Sequence, residues 1–187
     1  MTKIAILSSH NGSGFDAIYN AVASKKLHLE IALVISNNTD AAVLEKAKSR
    51  GISNYLINAK QVTHPDAKIF KLLQKYDVEY IFLSGYMKKI PLQIIQNFKV
   101  INSHPSLLPK YGGAGMYGRY VHEAVIANNE SRSGATLHFV EEVYDSGKII
   151  LQKDIKLAED ETVDSLESKI KILEADVIVA GLQLCLN

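Results

Sequence analysis

Along the first hundred residues, short apolar runs alternate with longer segments whose apolar positions recur at helical spacing. Residues 3–8, Lys-Ile-Ala-Ile-Leu-Ser, read as a buried strand that closes on small polar residues. Residues 32–37 repeat that form, 55–57 are a weaker third run, 80–85 a fourth and 100–102 a short fifth. Helix-length segments lie between them at about 14–26, 40–50, 65–76 and 91–97. Strands that are apolar throughout, rather than alternating, are covered on both faces. With helices between them they predict a mainly parallel central sheet, helices on both faces and right-handed crossovers.

After Pro109 the rhythm changes. Residues 110–115 form a glycine-rich loop, and a helical stretch covers 117–128. Two further strands are expected at 133–140 and 148–155, and the 141–147 segment between them is too short for a parallel crossover. They should therefore pair antiparallel. A last helix begins near Thr162, with Leu166, Ile170, Leu173 and Val177 on one face. The pattern reads as α/β: a single Rossmann-like domain over 1–187, mainly parallel with antiparallel C-terminal strands, without repeat or linker.

Composition narrows the function. The 187 residues carry 21 basic and 20 acidic side chains and are 47% hydrophobic. That excludes the basic face a nucleic-acid partner requires, and it excludes disorder. No apolar run is long enough for a membrane span, and the first apolar stretch is too short for a signal peptide. Cys185, the one cysteine, can form neither an internal disulfide nor a thiolate cage. His10, His28, His64 and His122 show no ligand spacing, so no metal is expected. A cytoplasmic protein without membrane or nucleic-acid partner is the expectation.

Two segments carry candidate chemistry. Ser8 to Gly14 is a glycine-bearing turn between the first strand and a helix, where free amides and the helix dipole attract an anion. The third glycine of a dinucleotide loop is missing, and Asp40 lies in a turn rather than at a strand end, so a phosphate monoester fits better. An ordinary strand–helix turn with Ser13 as N-cap weighs about evenly against it. The second segment, Asn102-Ser103-His104-Pro105-Ser106-Leu107-Leu108-Pro109, follows a strand directly. An amide that can stabilise an oxyanion and an imidazole that can move a proton suit acyl transfer. Asp145 lies in the connection between the late strands, where a carboxylate beside His104 would hold an imidazolium. Against these stand a loop histidine satisfied by backbone and a plain Asp145-Ser146-Gly147 turn. His138, on a strand, reads as an ordinary core histidine.

These residues resemble the folate-dependent formyltransferases. Asn11-Gly12-Ser13, Ser84-Gly85-Tyr86-Met87, the Asn102-x-His104-Pro105-Ser106-Leu107-Leu108-Pro109 segment and Asp145-x-Gly147-x-Ile149-Ile150-x-Gln152 occur in that family's order and spacing, over nearly the whole chain. The resemblance implies a formyl donor, 10-formyltetrahydrofolate, as co-substrate and, in the purine-synthesising branch, the amine of 5′-phosphoribosylglycinamide as acceptor. It implies Asn102, His104 and Asp145 as the catalytic trio. Asn11, Gly12, Ser13 and Gly14 would hold the acceptor's phosphate, and Glu174 its amino end. Met87, Lys88, Lys89 and Ile90, with Asn102 and the backbone of Glu141, Glu142, Val143, Tyr144 and Asp145, would line the folate pocket. The acceptor could instead be another amine, such as a sugar nucleotide amine, and a non-catalytic phosphate- or nucleotide-binding module remains the third reading; a homodimer is left open. The sequence departs from the family's Gly-Asn-Gly-Ser-Asn loop with His10 and Gly14, from its apolar residue at Ser103, and from an arginine near Gln61 to His64.

Overall fold

The computed structural model describes residues 1–186; Asn187, the end of the expected domain, lies outside them. The elements are β1 (Thr2–Leu7), α1 (Ser13–Ala23), β2 (Leu29–Ser36), α2 (Ala42–Ser49), β3 (Asn54–Leu56), α3 (Pro65–Lys75), β4 (Tyr80–Leu83), α4 (Leu92–Asn97), β5 (Lys99–His104), α5 (Arg119–Ala127), β6 (Arg132–Phe139), β7 (Ile149–Lys156) and α6 (Val163–Leu186). The strands follow one another in the order β3-β2-β1-β4-β5-β6-β7. The described residues form two compact units, one over Met1–Ile101 and one that begins at Asn102.

In the first unit β1 pairs in parallel with β2 and β4, and β2 with β3. Tyr80, Ile81, Phe82 and Leu83 of β4 are all buried, as expected of a strand covered on both faces. α1 turns Phe15, Ile18 and Ala21 inward at helical spacing. α3 opens on Pro65, where a missing N–H costs nothing, and buries Ile69, Leu72 and Leu73. Strand order reverses between β1 and β4, the position at which open α/β sheets form a ligand crevice.

In the second unit β6 and β7 pair antiparallel, as their short connection requires. α6 starts with a reciprocal cap: Ser165 N donates to Thr162 Oγ1 at 3.2 Å, and Thr162 N to Ser165 Oγ at 3.1 Å. Its Leu166 and Ile170 pack with Val125 and Leu157, and Leu173 lies partly buried against them. Gly181 brings the helix close to Leu137, a contact any Cβ would obstruct.

Three details differ from the sequence pattern. β5 does not stop at 102 but runs to His104, so Asn102 and His104 belong to the strand itself. Pro105, which has no N–H for the ladder, ends it rather than the polarity of Asn102. β2 begins at Leu29, earlier than the 32–37 run suggests. Ser13 is not the N-cap of α1: Gly12 is, at φ 70°, with no side-chain cap. Only glycine fits there, because a Cβ would lie 2.5 Å from Val43 Cγ2 in a left-handed backbone.

Candidate active site

Asn102 and His104 are two apart on β5 and share one face of it. His104 is 4% exposed. Its Nε2–H donates to the Tyr111 carbonyl at 2.7 Å, and its Nδ1 lies 3.6 Å from Asp145 Oδ2. Both ring nitrogens therefore face oxygen atoms, one of them a carboxylate. Asp145 adopts φ 56° and its Oδ2 also accepts from Gly113 N at 2.9 Å. Tyr111 is left-handed too, at φ 56°, and its hydroxyl donates to Glu130 Oε1 at 2.9 Å. Two non-glycine residues in this sparsely populated region bracket the imidazole, as strained backbone at functional sites commonly does.

His138 completes the cluster. Its Nδ1–H donates to Phe139 O at 2.9 Å. Burial pushes its pKa below the ordinary 6.5, against weaker upward pulls from that bond and from Asp145. The neutral ring then has Nε2 as an acceptor, 3.2 Å from Asn102 Nδ2, and this fixes which way the Asn102 amide faces. Asp145 Oδ1 is 3.5 Å from the same Nε2. The expectation of an ordinary core histidine is thus incomplete. The available signal was its place at the end of the strand that feeds the Asp145 connection.

Glu174 lies on α6, half-buried, with Ser103 Oγ donating to its Oε1 at 2.5 Å. Burial raises its pKa, opposed by the Ser103 bond and by Lys171. Glu141, Glu142, Val143 and Tyr144 are exposed in the β6–β7 connection, where Ser146 Oγ donates to Val143 O at 3.0 Å.

The remaining predicted residues belong to the first unit. After Gly12, the Phe15 amide donates to Ser84 Oγ at 3.3 Å, whereas the Ser13 and Gly14 amides at the start of α1 have no protein acceptor among the described residues. Lys46 Nζ donates to Asn11 O at 2.9 Å and to Asp16 Oδ2 at 2.5 Å, and Arg50 pairs with Asp16 at 2.8 Å. The two cations offset a carboxylate that would otherwise repel an anion at this helix start. Ser9 ties the loop to the end of β4: Ser9 N donates to Gly85 O at 3.2 Å and Met87 N to Ser9 Oγ at 2.8 Å. Met87, Lys88 and Lys89 are exposed and Ile90 is buried. A cavity of about 800 Å³ at these strand ends is lined by Asn37, Asn58, Asp66, Tyr86, Lys88 and Lys89 among others. Burial, then Asp66, pushes the Tyr86 phenol up to about 12. Among the described residues no cluster of three His, Cys, Asp or Glu is placed to hold a metal, and no helix is long and apolar enough to cross a membrane.

An open α/β sheet with a carboxamide, an imidazole and a carboxylate gathered in one cluster defines a protein equipped to stabilise a developing oxyanion and move a proton. The chain matches the formyl transferase family over residues 2–182 and belongs to it. It is 35% identical over 182 residues to the phosphoribosylglycinamide formyltransferase of Haemophilus influenzae, covering 95% of this chain and 84% of that protein. It is 34% identical to the chloroplastic phosphoribosylglycinamide formyltransferase of Arabidopsis thaliana over 90% of its own length, and spans 60% of that relative. The crystal structure of glycinamide ribonucleotide transformylase 1 from Symbiobacterium toebii matches with a TM-score of 0.90 at 29% identity, covering 98% of this chain and 87% of that one. The phosphoribosylglycinamide formyltransferase structure from Streptococcus pneumoniae matches over 100% of both chains, with TM-score 0.86 and 28% identity.

Proposed function

We propose that this chain, as one formyltransferase domain, transfers the formyl group of 10-formyltetrahydrofolate to the amine of 5′-phosphoribosylglycinamide in purine synthesis. The observation that carries the reading is the convergence of Asn102, His104 and Asp145, with His138 holding the amide. The names of the relatives support the same acceptor.

In this reading the acceptor amine attacks the formyl carbon, and negative charge develops on the formyl oxygen. Asn102 gives one amide N–H to His138 and keeps the other for that oxygen. His104 has Nε2 committed to Tyr111 O, so Nδ1–H is its acidic proton. The Asp145 carboxylate, facing the ring, stabilises positive charge on it. The amine's proton leaves as the folate nitrogen gains one, so no covalent enzyme intermediate is needed. The unpaired Ser13 and Gly14 amides serve the acceptor's phosphate, and Glu174 its amino end. Met87 to Ile90 and the Glu141 to Asp145 backbone serve the folate.

The test is a spectroscopic assay of folate release with purified chain, formyl donor and acceptor, run with and without the 5′-phosphate. Turnover that depends on the phosphate supports the reading. Equal rates on a dephosphorylated amine overturn the acceptor, and full activity in His104→Ala overturns the site.

A further inference from the structure

We propose that Ser103 is a positioning residue of the acceptor site: its hydroxyl, donating to Glu174 Oε1 at 2.5 Å, fixes that carboxylate and leaves Oε2 for the acceptor. The inference rests on the reading that Glu174 holds the acceptor.

Strand alternation carries the first step. Ser103 stands between Asn102 and His104 on β5, so its side chain leaves the strand on the face opposite theirs, and there it meets Glu174 of α6. A carboxylate taken partly out of water reverts toward its neutral acid unless donors serve it. Burial acts on Glu174 in that direction, and the Ser103 hydroxyl acts against it. The charged neighbours are otherwise engaged. Lys171, one turn earlier on α6, acts on Glu174 through space while its Nζ donates to Glu167 at 2.7 Å. His122 of α5 feels Glu167 and Lys171, and Lys153 of β7 pairs with Asp176 of α6 at 2.6 Å. The neutral donor to this carboxylate is thus a hydroxyl on the strand that also carries the catalytic amide and imidazole.

The consequence is a division of labour on one strand. Asn102 and His104 act on the formyl group, and Ser103 sets the acid that receives the acceptor. With its proton given to Glu174, the Ser103 oxygen is left as an acceptor beside Oε2. The pair therefore recognises a group that brings hydrogen-bond donors, an amine or hydroxyl, and disfavours a second carboxylate.

The experiment measures kcat and acceptor KM from pH 5 to 9 with saturating formyl donor, for the natural chain, Ser103→Ala, Ser103→Thr, Glu174→Gln and the Ser103→Ala/Glu174→Gln double variant. Ser103→Ala should raise acceptor KM about tenfold, the size of one hydrogen bond to a charged group, with kcat within about twofold. The acid-side fall of kcat/KM should move to higher pH, because the raised acid loses the donor that opposes it. Ser103→Thr should restore both, and in the Glu174→Gln background Ser103→Ala should add nothing. The proposal is overturned by an unchanged KM and acid limb in Ser103→Ala, or by a loss of kcat that threonine does not rescue. If Ser103→Ala fails to fold, Ser103→Thr and Ser103→Cys decide: a limb that stays put in cysteine overturns it. Glu174→Gln with an ordinary acceptor KM would instead remove the reading of Glu174 on which this inference rests.

Discussion

Gly14→Ala tests how closely the turn between β1 and α1 is packed against β4. A Cβ there would lie 2.6 Å from Phe82 Cε1, 3.1 Å from Phe82 Cζ and 3.0 Å from Ser84 Oγ. Ordinary carbon–carbon contact is about 3.5–4.0 Å, so the ring would have to retreat by about 1 Å. Phe82 is fully buried within β4 and has no solvent to move into. Overpacking of this kind costs about 1–3 kcal/mol. The backbone at Gly14 is not left-handed, so alanine recovers about 0.4–1 kcal/mol from the unfolded chain's lost freedom. The net loss is about 0–2.6 kcal/mol, a fall in melting temperature of up to about 10 °C for a chain of this size. Urea unfolding of Gly14→Ala, Phe82→Leu and the pair isolates the clash. With the ring edge gone, the alanine should cost at least about 1 kcal/mol less. A Gly14→Ala chain that melts above the natural temperature, or one whose cost is the same in the Phe82→Leu background as beside the phenyl ring, would refute the argument.

His104→Ala and Asp145→Asn should each lower turnover by about 10²–10⁴ in the folate-release assay; activity within twofold of natural would exclude them from the chemistry. His138→Ala should lower kcat about tenfold by freeing the Asn102 amide, whereas His138→Gln, whose carbonyl can accept from it without titrating, should retain more activity and lose one acid-side ionisation from the pH profile. His122 is buried with an unpartnered Nδ1, and burial holds its pKa below 6.5, so the folded state prefers the neutral ring. Its contribution to stability is complete above pH 6.5 and is lost as pH falls through the lower folded-state value; His122→Leu should flatten stability across that acid range, and an unchanged slope in denaturant titrations would contradict this. Gly147→Ala would drive a Cβ into the Phe139 carbonyl oxygen, which is backbone and cannot yield, so the connection must shift and carry Asp145 with it. Turnover should fall as far as in Asp145→Asn, and a fully active Gly147→Ala would show that the carboxylate's position is not set by this turn.

The architecture was legible because β1, β2 and β4 are short, β-branched-rich apolar runs, while the segments between them are longer and carry helical periodicity; length and residue type, rather than periodicity alone, separate the two. Element ends were less so. β5 extends through Ser103 and His104, residues whose polarity suggests a loop, because pairing in the sheet is decided by neighbouring backbone and stops only where Pro105 withholds an N–H. Ser13 reads as the cap of α1 for a related reason. Local chemistry favours serine, but the turn needs a left-handed residue pressed against Val43, and that contact is visible only once α2 is in place.

The site divides along the same line. Asn102, His104 and Asp145 could be singled out because amide, imidazole and carboxylate have chemistry that their sequence neighbourhood does not otherwise demand. His138 could not, since one histidine in a buried strand is most simply a core residue; its role appears only through the 3.2 Å contact to Asn102 and the burial that keeps its ring neutral. Ser103 is more hidden still. Its departure from the family's apolar residue marks the position without indicating a role, which depends on a carboxylate 71 residues away. Residues that act on substrate are readable from their functional groups. Those that set the tautomer, orientation or ionisation of such groups depend on long-range packing, and a buried hydrogen bond to a titratable partner is the feature by which a structure discloses them.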